Sequence, residues 1–591
     1  KTGTLTMNQM KVSSFDFSTL SKDSLPKDSP PKDSPPNDSP PKDSQLEAGP
    51  EFNFVAEAIA ANSTANLMVD KSGALQPLGN PTESALLIWL QEHGLNYNTV
   101  RDEFAVKGQL TFSTERKYMA TIGRGLLKDG LTMHVKGAPE IVLSKSAFKR
   151  QSNGQDAPLT PQDRAGLLDA LKAEQVRGMR TLGLAMRIVP PKDEEFSQDA
   201  IVSLVNEEKL TWLGFFSIAD PVRPEVPPAV KSCSVAGVRV KMVTGDNQAT
   251  AREIATEIGI IGPQDTSDKV VMTGDEFMAL DDQAAYEAVD ELKIMSRARP
   301  LAKQRLVTLL QKRGEVVAVT GDGSNDAPAL NHADVGLAMG ITGTSVAKEA
   351  ADIILLDDSF ASIVQSVMWG RSIYANIQKF ILFQLTINVL ALGVALLGPF
   401  LGIQLPLTVT QMLWVNLIMD TFAALALASE PPDWGVMLKP PRNPESFIVT
   451  PQMAKLIFTV GGVFLALFLI LVLCLKNVFP MDSETSIGRH NLSIFFTVFV
   501  FLQFWNLFNA RMLGRNTSAL GGLKESKMFL LIVVAIVIGQ VLMTQFGGEV
   551  FRTVPLSLKE WIVIIVATSP VLWVGEIYRY MLRSKQATAA V

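Results

Sequence analysis

Beyond residue 370 the sequence holds six long apolar runs, at about 374–400, 407–428, 453–475, 492–512, 528–546 and 560–582. Each is close to the roughly 20 residues a helix needs to cross a bilayer. One or two such runs would suit buried helices of a soluble core. Six in series predict an all-α membrane domain over 358–591, because helices satisfy every backbone N–H and C=O within hydrocarbon. Basic residues follow the even-numbered runs: Lys439 and Arg442, then Arg511, Arg515, Lys524 and Lys527, then Arg579 and Arg583. The positive-inside rule predicts that these loops and the C-terminal end face the cytoplasm.

The residues before 358 carry most of the charge and read as soluble α/β, so the 591-residue chain has more than one domain. A net charge of −5 gives nucleic acid no electrostatic foothold. Cys233 and Cys474 have no CxxC spacing and there are four histidines, which argues against a disulfide framework, a zinc site or a His-based centre.

Residues 316–330 read VVAVTGDGSNDAPAL. An apolar, β-branched run passing directly into Gly321, Asp322, Gly323, Ser324, Asn325 and Asp326 is the pattern of a buried strand ending in a turn. The glycines let backbone approach a ligand. Two carboxylates four residues apart at the carboxyl end of a parallel strand suit Mg2+ beside a phosphoryl group. The apolar run 238–243 ends in Thr244, Gly245 and Asp246 ahead of a helix over 247–258, whose N-terminus favours an anion. Asp220, Pro221 and Arg223 follow the buried run 213–218, and Lys303 precedes a helix ending near 313. Strands separated by helices predict a doubly wound parallel sheet with TGD, Lys303 and GDGSND at one edge.

From about 56 to 187, helix and strand signals alternate, as in a domain inserted into the first. GNPTES at 79–84 is a turn leading to a helix over 85–91, FSTERK at 112–117 reads as strand-like, and HVKGAPE at 134–140 is a strand meeting a Gly/Pro turn. An aromatic ring for a purine and two lysines for phosphates are the materials of an ATP site, although any one alone reads as a core Phe or a surface Lys. Residues 21–44 repeat Lys/Asn-Asp-Ser-Pro-Pro and are expected to stay disordered as a solvated linker; their Ser-Pro pairs leave a phospho-regulated tether open.

Polar residues interrupt the apolar runs. Asn388 lies in the first, and Asn416 and Asp420 in the second share a face at α-helical spacing. An ionisable residue at membrane depth is costly and therefore a functional candidate. Gln503 and Asn506 in the fourth read as helix–helix hydrogen bonds or as ion contacts. Oxygen ligands without His or Cys suit a hard cation such as Ca2+.

KTGTLT at 1–6 and GDGSNDAPAL at 321–330 are together the signatures of the P-type cation-transporting ATPases, which the sequence resembles over essentially its whole length. DPVRPEVP, KMVTGDN, AMGITGTSVAKEAADIILLDDSF, FQLTINV and QMLWVNLIMDTFAALALASEPP are most similar to the plasma-membrane-type Ca2+-ATPases. The resemblance implies a haloacid-dehalogenase-like phosphorylation domain (1–20 and 188–357), the insert 21–50, an α+β nucleotide-binding domain (51–187) and the six-helix membrane domain.

It implies ATP and Mg2+ as cofactors, with Phe112 as the adenine platform and Glu83, Lys117, Lys136, Gly137, Arg180 and Arg223 completing the nucleotide contacts. It implies Lys1, Thr2, Thr244, Gly245, Asp246, Lys303, Asn325 and Asp326 in catalysis, and Mg2+ on Asp322 with the Thr2 carbonyl beside it. Ca2+ is expected on Asn388, Asn416 and Asp420. One Ca2+ per ATP is expected, with H+ counter-transport, because Ala391 stands where the sarcoplasmic-reticulum type has a glutamate.

A lipid bilayer is the expected partner and the plasma membrane the expected location; nucleic acid and calmodulin are not expected. In the family an Asp that becomes phosphorylated immediately precedes this Lys, so the sequence is expected to be the C-terminal portion of a longer pump and inactive by itself. Two alternatives remain open: a Mn2+/Ca2+ pump of the secretory-pathway type and a membrane-anchored phosphatase of the same haloacid-dehalogenase-like fold.

Overall fold

The computed structural model describes residues 4–17, 50–69, 75–126, 130–151, 154–191, 194–398, 400, 407–478 and 485–589. The 21–44 repeat, Lys1 and Thr2 lie outside the described residues. The chain divides into two compact units, one of Lys1–Ser234 with Arg239–Ile363 and one of Val235–Val238 with Val364–Val591.

The first unit is built on an eight-stranded mixed sheet. Its order is Ala105–Leu110, Tyr118–Arg124, Leu131–Gly137, Arg180–Val189, Leu210–Ala219, Ser146–Arg150 and Asp156–Pro158, with Lys11–Phe17 also paired to Leu210–Ala219. Alternation along the strands gives the sheet two apolar faces. Leu184, Met186, Phe216 and Ile218 pack with Phe52 and Trp89 from helices Pro50–Ala60 and Pro81–Glu92. Ala185 and Phe215 pack the other way, with Leu171, Ile201 and Val205 from helices Pro161–Val176 and Gln198–Asn206.

Among the described residues, the all-parallel strands form two three-stranded sheets and not one continuous sheet: Met242–Val243, Ile294–Ser296 and Val271–Thr273, and Ala318–Gly321, Val335–Met339 and Ile353–Leu355. Met242–Val243 and Ala318–Gly321 are each an edge, with no described strand beside the outer side of either. The run expected as a strand over 238–243 pairs only at Met242 and Val243.

Among the described residues, six helices are long and apolar enough to cross a membrane, all in the second unit but for the first turn of the first: Phe360–Leu397, Val409–Ala428, Pro451–Leu473, Ser486–Arg511, Lys527–Phe546 and Leu558–Ser584. The first begins well before the apolar run at 374, since an α-helix continues wherever its backbone bonds are met and need not stop at the apolar boundary. Ser486–Arg511 is the central helix, with 78% of its apolar window buried against 39% or less elsewhere. Its Phe495, Phe499 and Phe508 meet Phe468 and Phe529 edge to face, an arrangement aromatic quadrupoles favour. Small residues bring the first and third spans together: a Cβ on Gly461 would fall 2.8 Å from Val389, and one on Gly393 2.5 Å from Leu465.

Candidate functional site

The GDGSND loop leaves strand Ala318–Gly321 and enters helix Ala327–His332, for which Asp326 is the cap residue. The Asp326 carboxylate ties the loop together. Its Oδ2 accepts from the N–H groups of Asp322 and Gly323, each at 3.3 Å, and its Oδ1 takes Lys303 Nζ at 2.5 Å. Gly321 is required by this closure, because a Cβ there would lie 2.4 Å from Asp326 Cβ. Lys303 is presented by helix Pro300–Lys312, whose Pro300 supplies the preset φ of a first turn. Asn325 is exposed, and Asp322 is half-buried with its backbone C=O accepting from Thr344 N–H at 2.8 Å.

Strand Met242–Val243 delivers Thr244, Gly245 and Asp246 to the N-terminus of helix Gln248–Glu257. Thr244 is buried; its hydroxyl donates to Asp246 Oδ2 at 3.0 Å and accepts from Asp246 N–H at 3.1 Å. Gly245 stays exposed. The described part of KTGTLT is stitched to the segment after the buried 213–218 run. Thr6 Oγ1 donates to Asp220 Oδ2 at 2.5 Å, Arg223 N–H donates to Leu5 O and Arg223 Nε–H to Thr6 O. Arg223 therefore sits against KTGTLT.

The expected nucleotide residues collect at one end of the eight-stranded sheet. Phe112 follows Ala105–Leu110, Lys117 precedes Tyr118–Arg124, Lys136 and Gly137 close Leu131–Gly137, and Arg180 opens Arg180–Val189, with Gly137 opposite both Tyr118 and Gly183. The 112–117 stretch, expected as strand-like, is instead the connection between two strands, because Lys117 turns the chain at φ 59°. This conformation is held by Lys117 N–H to Ser113 O and by Ala138 N–H to Lys117 O, at 2.8 and 2.9 Å. A Cβ on Gly137 would lie 2.3 Å from Lys117 O, so glycine permits the crossing. Phe112 is 55% exposed, and Lys117 and Arg180 are exposed.

Lys136 and Glu83 are buried together, with Nζ 2.8 Å from Glu83 Oε1. Glu83 lies in the first turn of Pro81–Glu92, and its Oε2 also accepts from Ser63 Oγ, Thr64 N and Oγ1, and Ala65 N. Burial opposes the Glu83 charge, yet Lys136 and these donors hold its pKa below the usual carboxylate range.

In the membrane unit, Asn388 and Asn416 are exposed on the described surface, and the Asp420 side chain lies outside the described residues. Asn416 falls in a π-helix, Trp414–Met419, between helices Val409–Leu413 and Asp420–Ala428. This corrects the α-helical spacing used to put Asn416 and Asp420 on one face, since i→i+5 bonding widens the turn. Gln503 is fully buried, and neither amide atom has a hydrogen-bond partner among the described residues, so helix–helix bonding does not explain it.

Three family models match in succession: "P-type ATPase, cytoplasmic domain N" over residues 52–225, "haloacid dehalogenase-like hydrolase" over 145–334 and "Cation transporting ATPase, C-terminus" over 404–581. The chain belongs to the P-type ATPase family.

Among P-type ATPases it is 36% identical to Calcium-transporting ATPase 5, plasma membrane-type, of Oryza sativa subsp. japonica over 96% of this chain and 51% of the relative. It is 38% identical to Plasma membrane calcium-transporting ATPase 1 of Mus musculus (97% and 48%) and to Calcium-transporting ATPase 2 of Schizosaccharomyces pombe (96% and 45%). The chain thus spans about half the length of the relatives it matches. Mg2+, which P-type ATPase chemistry implies, fits the loop at Asp322: this half-buried carboxylate has no hydrogen-bond donor or cation partner among the described residues. Sequence reasoning missed the π-helix, for which no residue pattern is diagnostic, and the Thr6–Asp220 pair, whose partners are 214 positions apart.

Proposed function

We propose that this chain is part of an ATP-driven pump that moves Ca2+ across a membrane through an aspartyl-phosphate. Phe112 stacks on the adenine, and Lys117 and Arg180 meet the phosphates with the buried Lys136–Glu83 pair beside them, while Arg223 fixes KTGTLT beside the reacting group. Lys303 and the Thr244 hydroxyl hold the phosphoryl oxygens, with Asn325 and Asp326 orienting the loop. Mg2+ on Asp322 and the Thr2 carbonyl would supply neutralising charge.

The observation that supports transport, as opposed to a membrane-anchored phosphatase, is the π-helix Trp414–Met419 within a candidate span at Asn416. Departures from α-helical bonding at membrane depth are tolerated where they are buried in protein or line a cavity, and freed carbonyls serve there as cation ligands. Asn388, Asn416 and Asp420 then form one Ca2+ site, completed by carbonyls and by ligands from the rest of the protein. Ala391 is buried and brings no second charge to this region of the first span, which supports one Ca2+ per ATP with H+ returning. The basic loops support a cytoplasmic C-terminal end and site domains, and the plasma membrane is the proposed location.

The test is simultaneous 45Ca2+ uptake and ATP hydrolysis by the full-length protein in sealed vesicles. Uptake near one ion per ATP that collapses in Asp420→Asn is the expected result. A ratio near two refutes the single site, and ATP hydrolysis without ion movement refutes transport.

A further inference from the structure

The membrane unit carries a cavity of about 70 Å3 between the middle of helix Phe360–Leu397 and the segments that follow the second and fourth spans, and the proposed function does not use it. Its charged and polar lining includes Ser372, Asn376 and Lys379 from helix Phe360–Leu397, Asp433 and Lys439 after the second span, and Arg515 after the fourth. The volume exceeds the roughly 30 Å3 share of one water and is far below the ~300 Å3 of a pocket for a whole organic cofactor.

The charges are unbalanced, with three cations against one carboxylate. That carboxylate is already engaged: Asp433 Oδ2 takes Arg515 Nε–H at 2.9 Å and Oδ1 takes Gly435 N–H at 3.1 Å. The neighbouring acid, Glu430, is engaged by Arg511 Nε at 2.8 Å and lies 3.8 Å from Arg515. Neither lysine has a carboxylate partner among the described residues. Lys379 is 2% exposed and donates to a neutral acceptor, Asn376 Oδ1, at 2.9 Å. Asn376 is itself fixed, its Nδ2 donating to Glu430 O. An ammonium has three N–H groups, and a buried one left with a single neutral acceptor is costly. Lys439 is exposed, and its Nζ reaches beside Gly514 on the opposite wall.

We propose that this cavity binds an anion of the phosphate class, a phosphomonoester or inorganic phosphate, held between Lys379 and Lys439 with Arg515 as the third donor. Such an anion brings several acceptor oxygens and about two negative charges, matching the excess in the wall. It would tie the first span to the loops after the second and fourth spans. The group can come from solution or from the headgroup of a lipid, since the wall includes the exposed Lys439 and segments just beyond the second and fourth spans.

The test labels amines with an acetylating reagent and reads each lysine by mass spectrometry, using the exposed Lys455 as the internal reference. The purified chain is examined in detergent with and without millimolar inorganic phosphate. It is then examined in bilayer discs of phosphatidylcholine with and without phosphatidic acid. Protection of Lys439 relative to Lys455 by at least fivefold with inorganic phosphate supports a soluble anion, and the same protection only with phosphatidic acid supports a lipid headgroup. Site-specific protection is needed because phosphate can also reach Lys303. Unchanged Lys439 labelling in both arms overturns the proposal. So does protection that persists in a folded Lys379→Met chain, and the wild-type comparison stands if that variant does not fold.

Discussion

Lys303 Nζ lies 2.5 Å from Asp326 Oδ1, while the other oxygen of that carboxylate holds the N–H groups of Asp322 and Gly323. One acid thus fixes both a cation and the backbone of the loop bearing the proposed Mg2+ ligand. In the full-length protein, Lys303→Met is expected to slow phosphoenzyme formation by about 10²–10³-fold, the usual cost of losing one fixed donor to developing charge. Rapid-quench labelling with 32P-ATP checks this. An unchanged rate in a less stable protein reduces Lys303 to a structural partner of Asp326.

Phe112 is 55% exposed, so its removal disturbs little packing. Phe112→Ala is expected to leave the melting temperature of the chain within about a degree, since surface changes stay within about 0.5 kcal/mol. It should weaken ATP by about tenfold, in line with roughly 1–3 kcal/mol for a base stacked on an aromatic ring. Titration with a fluorescent ATP analogue decides, and equal affinity would place the adenine elsewhere.

Gly137→Ala tests the opposite balance. The new methyl would meet Lys117 O at 2.3 Å, and backbone must move to admit it. Overpacking of this kind costs about 1–3 kcal/mol, and it displaces the turn presenting Lys117. Lower stability and weaker nucleotide binding are expected together, by urea unfolding and by the same titration.

Asp358 is buried, with φ 51°, and its carboxylate accepts from Ile341 N–H, Thr342 N–H and Thr342 Oγ1–H. Burial pushes its pKa up, but these donors outweigh it and hold the group below the usual range. A folded-state pKa below the unfolded one adds stability above about pH 3.9, which is lost as pH falls through the folded value. Asp358→Asn keeps a side chain that tolerates left-handed backbone and removes the charge. It is expected to cost about 2 kcal/mol at neutral pH. The gap from wild type should close as pH falls below about 3.9, and a gap unchanged down to pH 2 would contradict this.

Asn416 is exposed on the described surface, so Asn416→Ala should leave the fold of this chain intact. In the full-length protein, the apparent Ca2+ affinity for activating ATP hydrolysis should fall at least tenfold. Unaltered Ca2+ activation would remove Asn416 from the ion site.

The sequence by itself determined the parts whose information is local. Hydropathy along the chain marked the six spans, because a helix in lipid satisfies its own backbone. The contiguous GDGSND and TGD stretches announced phosphate chemistry before any strand was placed. What only the tertiary structure decided is which distant groups meet. Lys303 and Asp326 are 23 positions apart and Thr6 and Asp220 214 apart, and sheet packing alone brings them together. The φ of 59° at Lys117 is set by Ser113 and Ala138 across a turn, so a strand-like pattern became a loop. The π-helix at Trp414–Met419 lies between two ordinary helical segments of the same span. A single turn of i→i+5 bonding inside an otherwise α-helical span is a departure that the residues of 414–419 do not mark.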